Sequence, residues 1–198
     1  MFTGIIEEVG VVQGAGEGTL RIAAAIVLEG SQLGDSIAIN GVDLTVAEMD
    51  DASFFANVMP ETYRRSNLRN LVDGDRVNLE CSVRPMDRLS GHIVRGVVEG
   101  TGTLHSLVAE ADAIIATYNT PPELLRYMVV KGPVAIDGAS LTIVAKDATS
   151  FSVSLVQYTQ EHTNLVDRSP GDEINLETDI LARYVDELLA ERGLGTTS

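Results

Sequence analysis

Two stretches of this chain are one stretch written twice. Laid over Lys131–Glu177 at a constant offset of 97 residues, Gly34–Glu80 aligns without a gap and shares sixteen identities in 47 pairs. Gly41/Gly138, Leu44/Leu141, Thr45/Thr142, Thr62/Thr159 and Asn67/Asn164 are among them. Unrelated sequences of average composition would share about three. Two strand-rich segments alike only in composition cannot keep one register through their loops, so the halves descend from one unit and must fold alike. A second match, Gly4-Ile5-Ile6-Glu7 with Gly96-Val97-Val98-Glu99, runs at an offset of 92. It sets the seam near His92–Val94, where no Pro- or Ser-rich linker separates the halves. The chain therefore divides into 1–92, 93–178 and a tail 179–198, and its 198 residues suit two small domains in contact.

Within the first half, Val9–Val12, Thr19–Ala24, Ser36–Ile39, Leu44–Ala47, Phe54–Val58 and Arg76–Leu79 are short, β-branched and bounded by Gly, Asp and Asn. Six such strands in about 95 residues, with no long helical period between them, predict an all-β chain of two homologous six-stranded antiparallel closed barrels. Phe54 and Phe151, at matching positions, are expected to fill the two cores. Glu61–Asn70 and Pro122–Val129 read as short helices. Asp179–Glu191 carries Ile180, Leu181, Tyr184, Val185, Leu188 and Leu189 at helical spacing, which predicts a C-terminal amphipathic α-helix with no counterpart in the first half. Such a helix packs either on its own domain or against another copy.

Fourteen Lys and Arg against twenty-nine Asp and Glu leave a net charge of −15. That field repels phosphate backbones and anionic lipid, so no nucleic-acid and no membrane partner is expected. No apolar run reaches the roughly 18–20 residues of a membrane span. Met1-Phe2-Thr3-Gly4 has no basic region, so no signal peptide is expected and a cytoplasmic location is. A single cysteine, Cys81, excludes an intramolecular disulfide and a Cys-rich metal site. His92, His105 and His162 show no ligand-like spacing, so no metal site is expected. Gly14-x-Gly16-x-Gly18 lacks the strand–helix setting of a nucleotide loop and reads as a flexible turn.

The repeated Gly-x-x-Leu-Thr element is the best site candidate. In a strand, residues i and i+2 face the same way, so Asp43 with Thr45, and Ser140 with Thr142, present paired polar groups on one face. Such pairs suit a polyol or the edge of a heterocycle, with apolar neighbours stacking on the ring. Thr is also simply common in sheets. Lys131 draws notice only because it stands beside Gly132-Pro133 where a repeated strand begins.

At these residues the chain resembles the riboflavin synthase family over essentially its whole length. The resemblance rests on Met1-Phe2-Thr3-Gly4-Ile5-Ile6-Glu7-Glu8, Asn40-Gly41-x-x-Leu44-Thr45-Val46, Met59-Pro60-Glu61-Thr62, Gly91-His92-Ile93-Val94 and Ile136-Asp137-Gly138-x-Ser140-Leu141-Thr142. It implies that each barrel binds one 6,7-dimethyl-8-ribityllumazine. It further implies dismutation of two such molecules into riboflavin and 5-amino-6-ribitylaminouracil without cofactor or metal, in a homotrimer held by the C-terminal helices. By the same resemblance, Gly4, Ile5 and Ile6, Asp43, Leu44 and Thr45, Val58 and Thr62, and Gly96, Val97 and Val98 line the first pocket. Lys131, Ser140, Leu141, Thr142, Val156 and Thr159 line the second, and Phe2 and Asp179 lie close to the reacting rings. Asp43, Ser140, Asp179 and Lys131 are the residues expected to act on the substrate.

The chain departs from the family's pattern at three places. The family usually has Cys at Asp43, His at Val97, and Pro-Glu-Thr where this chain reads Gln157-Tyr158-Thr159. A carboxylate is an anionic acceptor where a thiol donates weakly, and valine transfers no proton. The family also contains lumazine proteins, which hold a lumazine or flavin without turning it over, and that is the alternative reading.

Overall fold

The computed structural model describes residues 1–16 and 18–192. β1 (Glu8–Gly16), β2 (Thr19–Ala23), β3 (Ser36–Ile39), β4 (Val42–Met49), β5 (Ser53–Asn57) and β6 (Arg76–Cys81) close into one antiparallel barrel in the order β1-β2-β5-β4-β3-β6. β7 (Gly100–Glu110), β8 (Ala113–Asn119), β9 (Pro133–Ile136), β10 (Ala139–Lys146), β11 (Ser150–Leu155) and β12 (Glu173–Thr178) close into a second, ordered β7-β8-β11-β10-β9-β12. This is the same path one repeat later, as the duplication requires. Phe54 and Phe151 are wholly buried, one in each core, with Leu20, Ile22, Ile37 and Leu79 around the first and Leu104, Val134, Ile143 and Leu176 around the second. Gly14 and Gly16 extend β1 and pair with β2 through Gly14↔Arg21 and Gly16↔Thr19, so much of the expected glycine turn is strand.

The two pocket strands are introduced by matched hairpins. Asn40-Gly41 joins β3 to β4 and Asp137-Gly138 joins β9 to β10, with φ of 45°, 77°, 42° and 84°. Two successive left-handed residues make the turn whose twist matches antiparallel strands, and Asn-Gly and Asp-Gly adopt it most readily. The hairpin tips meet across a pseudo-two-fold axis. A Cβ on Gly41 would stand 2.7 Å from the Gly138 nitrogen, and one on Gly138 2.8 Å from the Gly41 nitrogen.

Polar side chains sew the barrels together around this contact. Asn175 Oδ1 accepts from the Asn67 N–H (2.6 Å), and Asn78 Oδ1 accepts from the Asn164 N–H (2.7 Å). Asn78 Nδ2 donates to the Asp137 carbonyl and Asn175 Nδ2 to the Asn40 carbonyl. Asn67 therefore faces the other barrel, and the helix expected over Glu61–Asn70 breaks. α1 (Pro60–Arg65) stops at an extended Ser66, followed by a single 3₁₀ turn at Asn67–Asn70. The second half repeats this with α3 (Gln157–His162) and an extended Thr163. The symmetry fails at one pair: Asp137 replaces Asn40, and Arg168, in place of Leu71, donates to it at 2.7 Å. Burial pushes the Asp137 carboxyl above the usual range, and the Arg168 charge opposes that shift.

α2 (Pro122–Leu125) is shorter than its expected span and buries Leu124 and Leu125. α4 (Ile180–Glu191) is capped by Asp179, whose Oδ1 accepts from the Leu181 N–H at 3.0 Å. Asp186 takes Arg126 at 2.9 Å and Arg183 takes Glu99 at 2.6 Å, so polar contacts fasten α4 to the second barrel. Its apolar stripe stays out: Leu181, Tyr184, Val185, Leu188 and Leu189 are each 40–64% exposed. Of the expected tail, 193–198 lies outside the described residues.

Candidate functional site

Each pocket is completed by a segment from the other half. The Asp43 N–H donates to the Gly96 carbonyl (2.9 Å), and the Ser140 N–H donates to the Gly4 carbonyl (2.8 Å). Both glycines are left-handed at φ 78°, and a Cβ at Gly96 would fall 2.5 Å from Asp43 Cβ, one at Gly4 2.6 Å from Ser140 Cβ. Glycine is required there on both counts. A buried carboxylate anchors each lead-in. Glu80 accepts from the Thr3 N–H (2.7 Å), the Thr3 hydroxyl (2.9 Å) and the Gly4 N–H (3.0 Å). Glu177 accepts from the N–H groups of Arg95 (2.8 Å), Gly96 (3.0 Å) and Val97 (3.0 Å). Burial pushes both carboxyls up, and these N–H donors resist the shift.

This crossing corrects one expectation. Of the two lead-ins, Gly4, Ile5 and Ile6 line the pocket of the second barrel beside Ser140, and Gly96, Val97 and Val98 line that of the first beside Asp43. The reason is that the lead-ins pair with each other at Phe2↔Val94 before diverging, each onto the opposite barrel. Phe2 is wholly buried at that bridge with Val94, Ala38 and Ala135, so it supports the crossing and offers no surface to a ligand.

On β4, Val42, Leu44 and Val46 point into the barrel while Asp43 and Thr45 point out, and β10 repeats the alternation with Ser140 and Thr142. The first pocket is a cavity of about 780 Å³ lined by Asp43, Thr45, Thr62, Gly96, Val97 and Val98, with Glu61, Arg65, Arg95, Glu99 and Arg183 around its mouth. A neighbouring hollow of about 280 Å³ adds Leu44, Asn57 and Met59. That space suits a bicyclic ring with a polyol chain. The second pocket is about 70 Å³, lined by Gly4, Ile5, Ile6, Ser140, Leu141, Tyr158, Thr159 and His162.

Four expected residues are not among those lining these cavities. Lys131 occupies the position of Gly34 in a left-handed turn (φ 70°), its N–H bonded to the Ile143 carbonyl, and lines neither pocket. Val58 is buried in the first core because its N–H pairs with the Gly18 carbonyl and turns its side chain inward. Val156, 55% exposed, caps α3 outside the second pocket. Thr142 is exposed on β10, as Thr45 is on β4.

One residue was not singled out for its chemistry. His92 Nδ1 lies 2.7 Å from Ser140 Oγ. Its Nε2 is buried and has no hydrogen-bond partner among the described residues. Burial lowers the His92 pKa below its ordinary value, and the nearby Asp179 charge opposes that shift. Ser140 and His92 thus meet from two separate elements, with the charge of Asp179 at the start of α4 acting on the imidazole. Its signal in the sequence was only the Gly91-His92-Ile93-Val94 string.

The family model of the lumazine binding domain matches residues 3–82 and again 95–179. A riboflavin synthase of Actinobacillus pleuropneumoniae is 41% identical over 196 residues, covering 97% of this chain and 91% of that protein. A riboflavin synthase of Mycobacterium tuberculosis is 41% identical over 203 residues, covering 98% of this chain and all of that one. Among solved structures, LumP complexed with riboflavin superposes with a TM-score of 0.80 at 24% identity, covering 90% of this chain and 99% of that one, a likeness of fold. With two copies of the domain, the matched barrels and relatives of this identity along its length, the chain belongs to the riboflavin synthase family of duplicated lumazine-binding domains.

Proposed function

We propose that this chain dismutates two molecules of 6,7-dimethyl-8-ribityllumazine, transferring a four-carbon unit to give riboflavin and 5-amino-6-ribitylaminouracil. The observation that carries this reading is the mirrored make of the two pockets, since a reaction between two copies of one substrate needs two sites of one kind. The two products together contain every atom of the two substrates, so the balance calls for no oxidant, metal or cofactor. The protein must supply an acceptor for a proton of the C7 methyl group, which the lumazine ring acidifies, and must hold two rings face to face. Positioning reaches effective molarities of about 10⁵–10⁸ M, and proton-transfer groups add about 10²–10⁴ in rate.

In this reading residues 1–92 and 93–178 are the two ligand-binding units. Ser140, backed by His92 and Asp179, serves one ring; Asp43 and Thr45 serve the other, with Asp43 as base where the family usually has Cys. The apolar face of α4 joins copies into a homotrimer in which the first pocket of one copy meets the second pocket of the next, in the cytoplasm. Incubation with 6,7-dimethyl-8-ribityllumazine, followed by chromatography, should give one riboflavin per two lumazines consumed. Bound but unconverted lumazine would instead make the chain a ligand carrier. Asp43→Ala and Asp179→Asn should each slow turnover, and unchanged rates in both would remove these residues from the mechanism.

A further inference from the structure

Hydrogen bonds at the seam between the barrels obey the two-fold axis, but the charges there do not. The Asn67 side chain donates to the Glu173 carbonyl (3.2 Å) and the Asn164 side chain to the Arg76 carbonyl (2.9 Å). Positions 76 and 173 are therefore equivalent, and each faces the 3₁₀ turn of the other half, Leu165–Asp167 or Asn67–Asn70. Arg76 Nη1 donates to Asp167 Oδ2 at 2.6 Å. On the mirrored side Asn70 Nδ2 donates to Glu173 Oε2 at 2.7 Å, and Arg69 pairs with the same carboxylate. By the 97-residue repeat, Arg76 stands where Glu173 does, and Arg69-Asn70 where Val166-Asp167 does. At these positions the first half brings two cations to the seam and the second half two anions.

The same axis fixes what a wrong pairing would meet. Two first halves from separate copies would set Arg76 of each against Arg69-Asn70 of the other. Two second halves would set Glu173 against Val166-Asp167 in the same way. Unlike halves meet as opposite charges at both contacts, and their pairing is the one that lays Gly96 on Asp43 and Gly4 on Ser140. We infer that Arg69, Arg76, Asp167 and Glu173 make the seam selective: each barrel takes the unlike half as its partner and turns away a like half from a second copy. The ion pairs are partly exposed, so each strengthens the seam only about 1.4- to 5-fold, and a like-charged contact weakens it by about as much. Over two contacts the preference for the unlike half comes to about 4- to 600-fold.

The test keeps the chain whole and rewrites the seam with residues the protein already uses at the mirrored positions. Val166→Arg/Asp167→Asn/Glu173→Arg gives the second half the seam of the first, and Arg69→Val/Asn70→Asp/Arg76→Glu does the reverse. Each set builds a like-with-like seam inside one chain. In urea unfolding at a single protein concentration, each set should raise the unfolding constant about 4- to 600-fold. All six changes together reverse the polarity of the seam and should return the constant close to its native value, even where a single set prevents folding. Either set as stable as the native chain, losses that simply add in the six-residue variant, or failure of that variant to fold would overturn the inference.

Discussion

At the level of single residues, the pocket strands were legible because a strand has a period of two. Asp43 and Thr45 had to share the face opposite Leu44, and they do. Lys131 fills a left-handed turn position that the first half gives to Gly34, a difference of backbone angle that rank in the chain does not announce. His92 escaped because its role depends on Ser140, 48 residues away, which no local pattern announces. Its burial makes a pH prediction. The folded His92 binds its proton below the ordinary value near 6.5, so in the interval beneath 6.5 the unfolded chain holds more protons than the folded one. The contribution of neutral His92 is present above that interval and is lost as pH falls through it. Urea midpoints at pH 7.5 and 5.5 should therefore differ less in His92→Gln than in the native chain.

Among elements, the strands and hairpins followed from Asn-Gly, Asp-Gly and β-branched runs, whereas the crossing of the lead-ins left no trace in the sequence. A segment beginning Gly-Ile-Ile or Gly-Val-Val reads the same whichever barrel it packs on. The hairpin contact on the axis gives a sharp test. Gly138→Ala would place a methyl 2.8 Å from the Gly41 nitrogen in a backbone region that L-residues avoid. Strain of about 1–3 kcal/mol and overpacking of similar size should lower the urea-derived stability by at least about 2 kcal/mol. The Asp137–Arg168 pair gives another. Arg168→Leu leaves a buried carboxylate without its partner and should lose about 3–5 kcal/mol, while Asp137→Asn/Arg168→Leu, which restores the first-half pair, should regain most of it. Equal stability of the single and double variants would mean that the ion pair is incidental to the seam.

For the whole molecule, the expectation of two barrels and a helix, α4, holds. Its polar side binds the second barrel through Arg183 and Asp186, leaving the apolar stripe exposed among the described residues. Removal of 180–198 should leave a folded monomer by sedimentation, and a truncated chain that still sediments as a trimer would place the trimer contact elsewhere. The crossed lead-ins also carry a historical consequence. Gly4 completes the Ser140 pocket and Gly96 the Asp43 pocket, so a half-length ancestor had to meet its twin in solution before either copy possessed a finished site. Fusion of the two genes replaced that encounter with chain connectivity, making assembly of the pair independent of concentration. It also released each mirrored position from serving both roles at once, and Asp43 against Ser140, Asn40 against Asp137, and Glu61 against Tyr158 are the marks of that freedom.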